Sequence, residues 1–221
     1  MEGNISISSV VKSARCPVRL YLERSALWNE PPAYTICKQI SYHLGNSLDK
    51  EEIWKEVNTV HPQITEDMHP FLDSCVDACS RMTWRVPAAT DLAVSSLTHR
   101  IFGVIDRVFE DEPMFSMVRA VQAPSAGVYR ADRIRIVCYI LCLEELLGMR
   151  VEGGCIEYIP GGITRYCHPQ PRDRRQFIVA VRDARRVIAG EVPKRPLHAS
   201  CSSCPHEEFC TSGVKRLSDL L

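Results

Sequence analysis

Long apolar runs are missing from this 221-residue sequence. None approaches the roughly 20 residues that a helix needs to cross a bilayer, so no transmembrane helix and no membrane partner are expected. The first residues, MEGNISISSVVKSARC, lack the basic cluster and apolar core of a signal peptide, and a cytoplasmic protein is expected. Net charge is missing too, with 27 basic and 27 acidic side chains. Lysine is scarce, 6 against 21 arginines. No internal repeat and no low-complexity tract occurs, which excludes a solenoid or a linker protein.

The zero net charge conceals an asymmetry. Residues 1–112 carry 11 basic and 16 acidic side chains, and residues 113–221 carry 16 and 11. Arginine forks onto phosphate oxygens and stacks on bases, so its excess suits a nucleic-acid partner. A genome rich in G and C would produce the same bias. Eleven cysteines are many for a reducing compartment, where metal binding is a more natural use than disulfides. Cys138 and Cys142 lie in the apolar run IRIVCYILCLEELLG, Cys75 and Cys79 lie four apart in DSCVDACS, and all four read as small core residues.

The chain reads as α/β. Residues 1–82 form a helical lobe, 83–190 a mixed sheet with flanking helices, and 191–221 a cysteine-rich tail, all within one domain. In the lobe, helices are expected from Pro17, from Pro31-Pro32 through ICKQISYHLG, over 49–60 and over 66–82. TWRV, DLAVSSL, HRIFGVIDRVFED and FSMVRAVQA read as strands. A helix over about 130–147 ends at Gly148, and CIEYIPGGITRYCHP reads as a hairpin. The last helix places Phe177, Ile178, Val181, Ala184, Val187 and Ile188 along one face, with arginines, among them Arg174 and Arg182, filling much of the remainder.

The tail carries Cys201-x2-Cys204-x5-Cys210. A Cys-x2-Cys pair converges two sulfurs on one metal or one cluster face, and either a zinc site or a [4Fe–4S] cluster needs four ligands. Cys16, just before a helix start at Pro17, is the best candidate for the fourth. His198 and His206 keep a zinc site open.

One cysteine before an apolar-basic helix, then Cys-x2-Cys-x5-Cys after a long gap, resembles the RecB-like nucleases with an iron–sulfur staple. Among them the CRISPR-associated exonuclease family, which processes spacer precursors, looks closest in size. The resemblance implies a PD-(D/E)XK core with a helical N-terminal lobe, stapled by a [4Fe–4S] cluster on Cys16, Cys201, Cys204 and Cys210. It implies a Mg²⁺- or Mn²⁺-dependent hydrolase acting on single-stranded DNA ends, in company with a CRISPR integrase complex. Gly103-Val104-Ile105-Asp106 matches the family's metal-binding aspartate, His43 its early histidine, and Tyr139 the tyrosine of its Gln-x3-Tyr helix. The Glu-x-Lys strand is degenerate: FSMVRAVQA has neither residue. Asp106 is then the only carboxylate at an expected position, with Asp91, Glu110 and Glu144 as others that could move in. Arg119 beside it would repel a divalent ion and attract phosphate, and Arg135, Arg174 and Arg182 are further expected DNA contacts. Weakened or lost cleavage leaves, as an alternative, a DNA- or partner-binding iron–sulfur protein.

Overall fold

The structure is a computed structural model that describes residues 3–25, 30–196, 201–207 and 210. A short strand β1 (Ile5–Ser6) leads into helices α1 (Ile7–Arg15) and α2 (Pro17–Glu23). The two helices are separated by Cys16 alone, which is fully extended at φ −165° and donates its N–H to the Lys12 carbonyl at 2.9 Å. Proline at the first position of α2 lacks the N–H that a helix start leaves unpaired, so the chain turns at Cys16.

The lobe comprises α3 (Pro32–His43), α4 (Lys50–Val60) and α5 (His69–Cys79). Asp49 caps α4, accepting from the Glu52 N–H at 3.0 Å. The sheet follows in β2 (Ala89–Ser96), β3 (Ile101–Val108) and β4 (Phe115–Arg119), then helix α6 (Arg130–Leu147), the hairpin β5 (Gly154–Tyr158) and β6 (Ile163–Cys167), and helix α7 (Pro171–Ile188). Helix α6 stops where Gly148 adopts a left-handed φ of 65°, a conformation glycine reaches without steric cost.

The sheet is mixed. Strands β2, β3 and β4 are successively antiparallel, β4 and β5 are parallel across the α6 crossover, and β5 and β6 are antiparallel. Strand β2 lines one edge of β3, while β1 and β4 share its other edge, at Ile101–Phe102 and Arg107–Val108. Side chains alternate between faces along a strand, and β4 divides the molecule accordingly. Phe115 and Met117 enter a core built with α1, α6 and α7, and Val118 enters a second core formed by the lobe. The sheet is therefore covered on both faces.

Three sequence expectations differ from the structure. TWRV is not a strand, because residues 83–86 pass from the lobe to β2 without pairing; the Trp84 indole donates to the Cys79 carbonyl instead. The strand expected through FSMVRAVQA ends at Arg119. Ile178 and Ile188 are exposed, whereas Ala180 is buried: the inward face of α7 is rotated from the one chosen by counting large apolar residues.

Arg107 on β3 is fully buried and joins three parts of the chain. One guanidinium nitrogen is 2.6 Å from Glu157 on β5, and the other donates to the Leu44 carbonyl at 2.9 Å and to the Arg85 carbonyl. Burial pushes the Glu157 carboxyl upward against the opposing pull of Arg107. Removing one member of such a pair leaves an uncompensated buried charge. Arg107→Ala is expected to destabilise the protein by about 3–5 kcal/mol, read from urea unfolding. An unchanged midpoint would remove Arg107 from this role.

Candidate functional site

Asp106 sits on β3 with both oxygens engaged. Oδ2 accepts the Val118 backbone N–H of the neighbouring strand at 2.7 Å, and Oδ1 meets the Lys38 ammonium at 2.6 Å. The same ammonium is 2.5 Å from Asp91 Oδ1 on β2. Asp91 Oδ2 accepts from the Tyr42 hydroxyl at 2.5 Å, one turn after Lys38 on α3. Asp91 has a left-handed φ of 54°, which aspartate tolerates better than most residues. One lysine from the lobe thus bridges two carboxylates from adjacent strands. Burial alone would lower the Lys38 pKa, but the charge of Asp106 and hydrogen bonds to both aspartates outweigh it and raise it above the usual lysine range.

Of the alternative carboxylates, Asp91 is the one brought to Asp106; Glu144 instead accepts from the Val151 N–H at 3.3 Å. His43 was expected to join Asp106 on a metal, yet its Nε2 is 2.9 Å from Glu56. Arg119 does not provide the charge beside Asp106: its Nε is 2.9 Å from the buried Asp132, to which Tyr158 also donates. Tyr139 is buried, and its hydroxyl donates to the Val104 carbonyl at 2.6 Å, with burial pushing its pKa to about 12. That bond anchors α6 to β3. Arg135 folds inward against Tyr139, while Arg174 and Arg182 lie on the exposed side of α7.

Two carboxylates could share a hard divalent cation only from a position that Lys38 Nζ now holds. While Lys38 stays there, the residues do not fit a catalytic metal at Asp106. Lys38 and Tyr42 escaped sequence reasoning. The one available signal was an isolated lysine, with no other between residues 12 and 50, in a helix that has no arginine, aspartate or glutamate.

The cysteines divide by burial. Cys37, Cys75, Cys79, Cys138, Cys142 and Cys167 are buried, whereas Cys155 of β5 and also Cys16, Cys201, Cys204 and Cys210 are part-exposed. These last four line a single cavity of about 610 Å³. Among the described residues, no group of three or more His, Cys, Asp or Glu side chains is arranged to hold a single metal ion. Arginines Arg15, Arg19, Arg130 and Arg195 share the wall of this cavity with the four thiols. His206 does not join the thiols as a zinc ligand would: its Nε2 is 3.0 Å from Glu23 of α2. His198 lies outside the described residues.

Glu23 also contacts Lys12 at 2.7 Å and Arg19 at 2.6 Å, so it ties the tail to α1 and α2. Burial works upward on its pKa, but hydrogen bonds from Lys12, Arg19 and His206 bring it from 4.5 down to about 2. A lowered carboxylate pKa contributes stability that is complete above the unfolded value and lost as pH falls through the folded one.

Compared with known protein families and with curated proteins, the sequence matches no family model and no curated protein. Among the described residues, no helix is long and apolar enough to cross a membrane.

Two outcomes follow from this geometry. Lys38→Met is expected to lower stability by about 1.5–3 kcal/mol, the scale of hydrogen bonds to charged groups. It is also expected to let Mn²⁺ raise the melting temperature, which the same Mn²⁺ leaves unchanged in the wild type; equal responses would contradict the Lys38 assignment. In acid titrations, the wild type should lose stability between pH 4.5 and about 2 that Glu23→Gln, already lacking it, does not. Superimposable acid transitions would show that the Glu23 network contributes nothing.

Proposed function

We propose that the chain is a DNA-end-binding protein of RecB-like nuclease architecture, with a [4Fe–4S] cluster on Cys16, Cys201, Cys204 and Cys210. Its setting is the handling of spacer precursors in CRISPR adaptation. Lys38 closes its carboxylate site, so DNA ends are held with little cleavage. The observation that carries this reading is the convergence of Cys16 with the three tail cysteines on one cavity. The order of the core supports it further: Asp106 on the second of three antiparallel strands, then a crossover helix bearing Tyr139, then a parallel strand.

When bound, the cluster supplies a rigid four-point link between the N-terminal helices and the tail. Such a link closes a long loop, which removes much of the unfolded chain's freedom. DNA phosphates fall to the exposed arginines of α7, Arg174 and Arg182 among them. A second reading is favoured by Asp91: an exonuclease in which DNA draws Lys38 towards the scissile phosphate and frees Asp91 and Asp106 for Mg²⁺ or Mn²⁺.

Anaerobically purified protein is expected to be brown, with iron and acid-labile sulfide in equal amounts. It should bind end-labelled single-stranded DNA with an affinity that falls as salt rises, and leave it intact in Mn²⁺. Rapid degradation abolished by Asp106→Ala would select the second reading. Colourless protein with stoichiometric zinc and no DNA binding would overturn both.

A further inference from the structure

The cysteine cavity has a wall that the cysteines do not use. Cys16 comes from the junction of α1 and α2, and the other three come from the tail. The remaining wall is the first part of α6, where Tyr129, Arg130, Ala131 and Ile134 face the cavity. The cavity of about 610 Å³ spans both the cysteines and this α6 side.

This wall is organised. The Tyr129 ring is 40% exposed, while its hydroxyl donates to the Gln122 carbonyl at 3.0 Å and its edge meets Tyr158 at 6.0 Å. The ring is thus held in place with a surface still open to solvent. Arg130 is steadied by Gln176, with Nε 3.0 Å from the amide oxygen. Among the described residues, no carboxylate forms an ion pair with Arg130 or with Arg15 across the cavity, whereas Arg19 is paired with Glu23. Behind Arg15, Arg119 and Arg135 crowd around one carboxylate, Asp132. Val18 and Ile134 supply apolar surface between these groups.

A fixed aromatic ring beside apolar surface receives a nucleobase, and guanidinium forks without carboxylate partners receive a phosphate. We propose that the α6 side of this cavity binds a nucleotide carrying a phosphomonoester, its base against Tyr129 and its phosphate on Arg15 and Arg130. The inference rests on the nucleic-acid reading only for the source of the ligand, which is either the phosphorylated end of a single strand or a free mononucleotide.

The test uses the full chain purified anaerobically, with fluorescent single-stranded oligonucleotides bearing 5′-phosphate, 3′-phosphate or only hydroxyl ends, and with nucleoside monophosphates as competitors. One phosphorylated end is expected to bind about tenfold more tightly than the hydroxyl form, a difference of about 1.4 kcal/mol. Arg130→Gln should abolish that preference, and Tyr129→Ala should weaken phosphate-ended and hydroxyl-ended strands alike, with visible absorbance unchanged in both variants. Salt-dependent binding with no end preference in any variant would overturn the site and leave the DNA reading standing. Mononucleotide binding sensitive to Arg130→Gln, with no oligonucleotide bound, would support the site and sink the DNA reading. Neither ligand binding at all would overturn both.

Discussion

Arg107 fixes where the lobe sits on the sheet. Its guanidinium is out of contact with water, and its two terminal nitrogens bind Glu157 of β5, the Leu44 carbonyl at the end of α3 and the Arg85 carbonyl before β2. A buried cation of this kind is tolerated only while every partner stays in place. The end of α3 is therefore set against β3, and Lys38, less than two turns earlier on the same helix, is delivered to Asp106. The carboxylate site is a product of that docking. Asp91 and Asp106 would repel each other across adjacent strands without a positive charge between them, and the lobe provides it.

A second region is organised around Cys16 and the described part of the tail. Extended Cys16 ends α1, Pro17 starts α2, and Glu23 reaches from α2 to His206 in the tail. These polar contacts bring Cys16 and the tail cysteines to one cavity before any cofactor is considered. In the proposed function a cluster completes that closure. The carboxylate site and the cavity share α6, whose Tyr139 reaches β3 and whose first turn opens on the cavity.

Much of the fold was legible because local chemistry fixes it. Gly148 ends α6, Asp49 starts α4, and alternation with the turn at Pro160 marks the β5–β6 hairpin. The apolar run around Cys138 and Cys142, and the helical spacing of Cys75 and Cys79, correctly indicated burial. The missing part is what depends on contacts distant in sequence. Nothing local to Lys38 links it to residues 91 and 106, and nothing in FSMVR says that Arg119 turns to Asp132. His43 occupies a helix position that suggested a metal ligand, but the tertiary arrangement gives it Glu56. Ile178 and Ile188 mislead because two neighbouring helical faces both carry apolar residues and only packing chooses between them.

The convergence of Cys16, Cys201, Cys204 and Cys210 on one cavity is the point from which the functional account grows. Its most direct test is anomalous diffraction at the iron edge from crystals of anaerobically purified protein. The account predicts one strong iron peak inside the cavity, bonded to those four sulfurs. A zinc-edge peak on the same sulfurs, or four thiols with no metal between them, would contradict it.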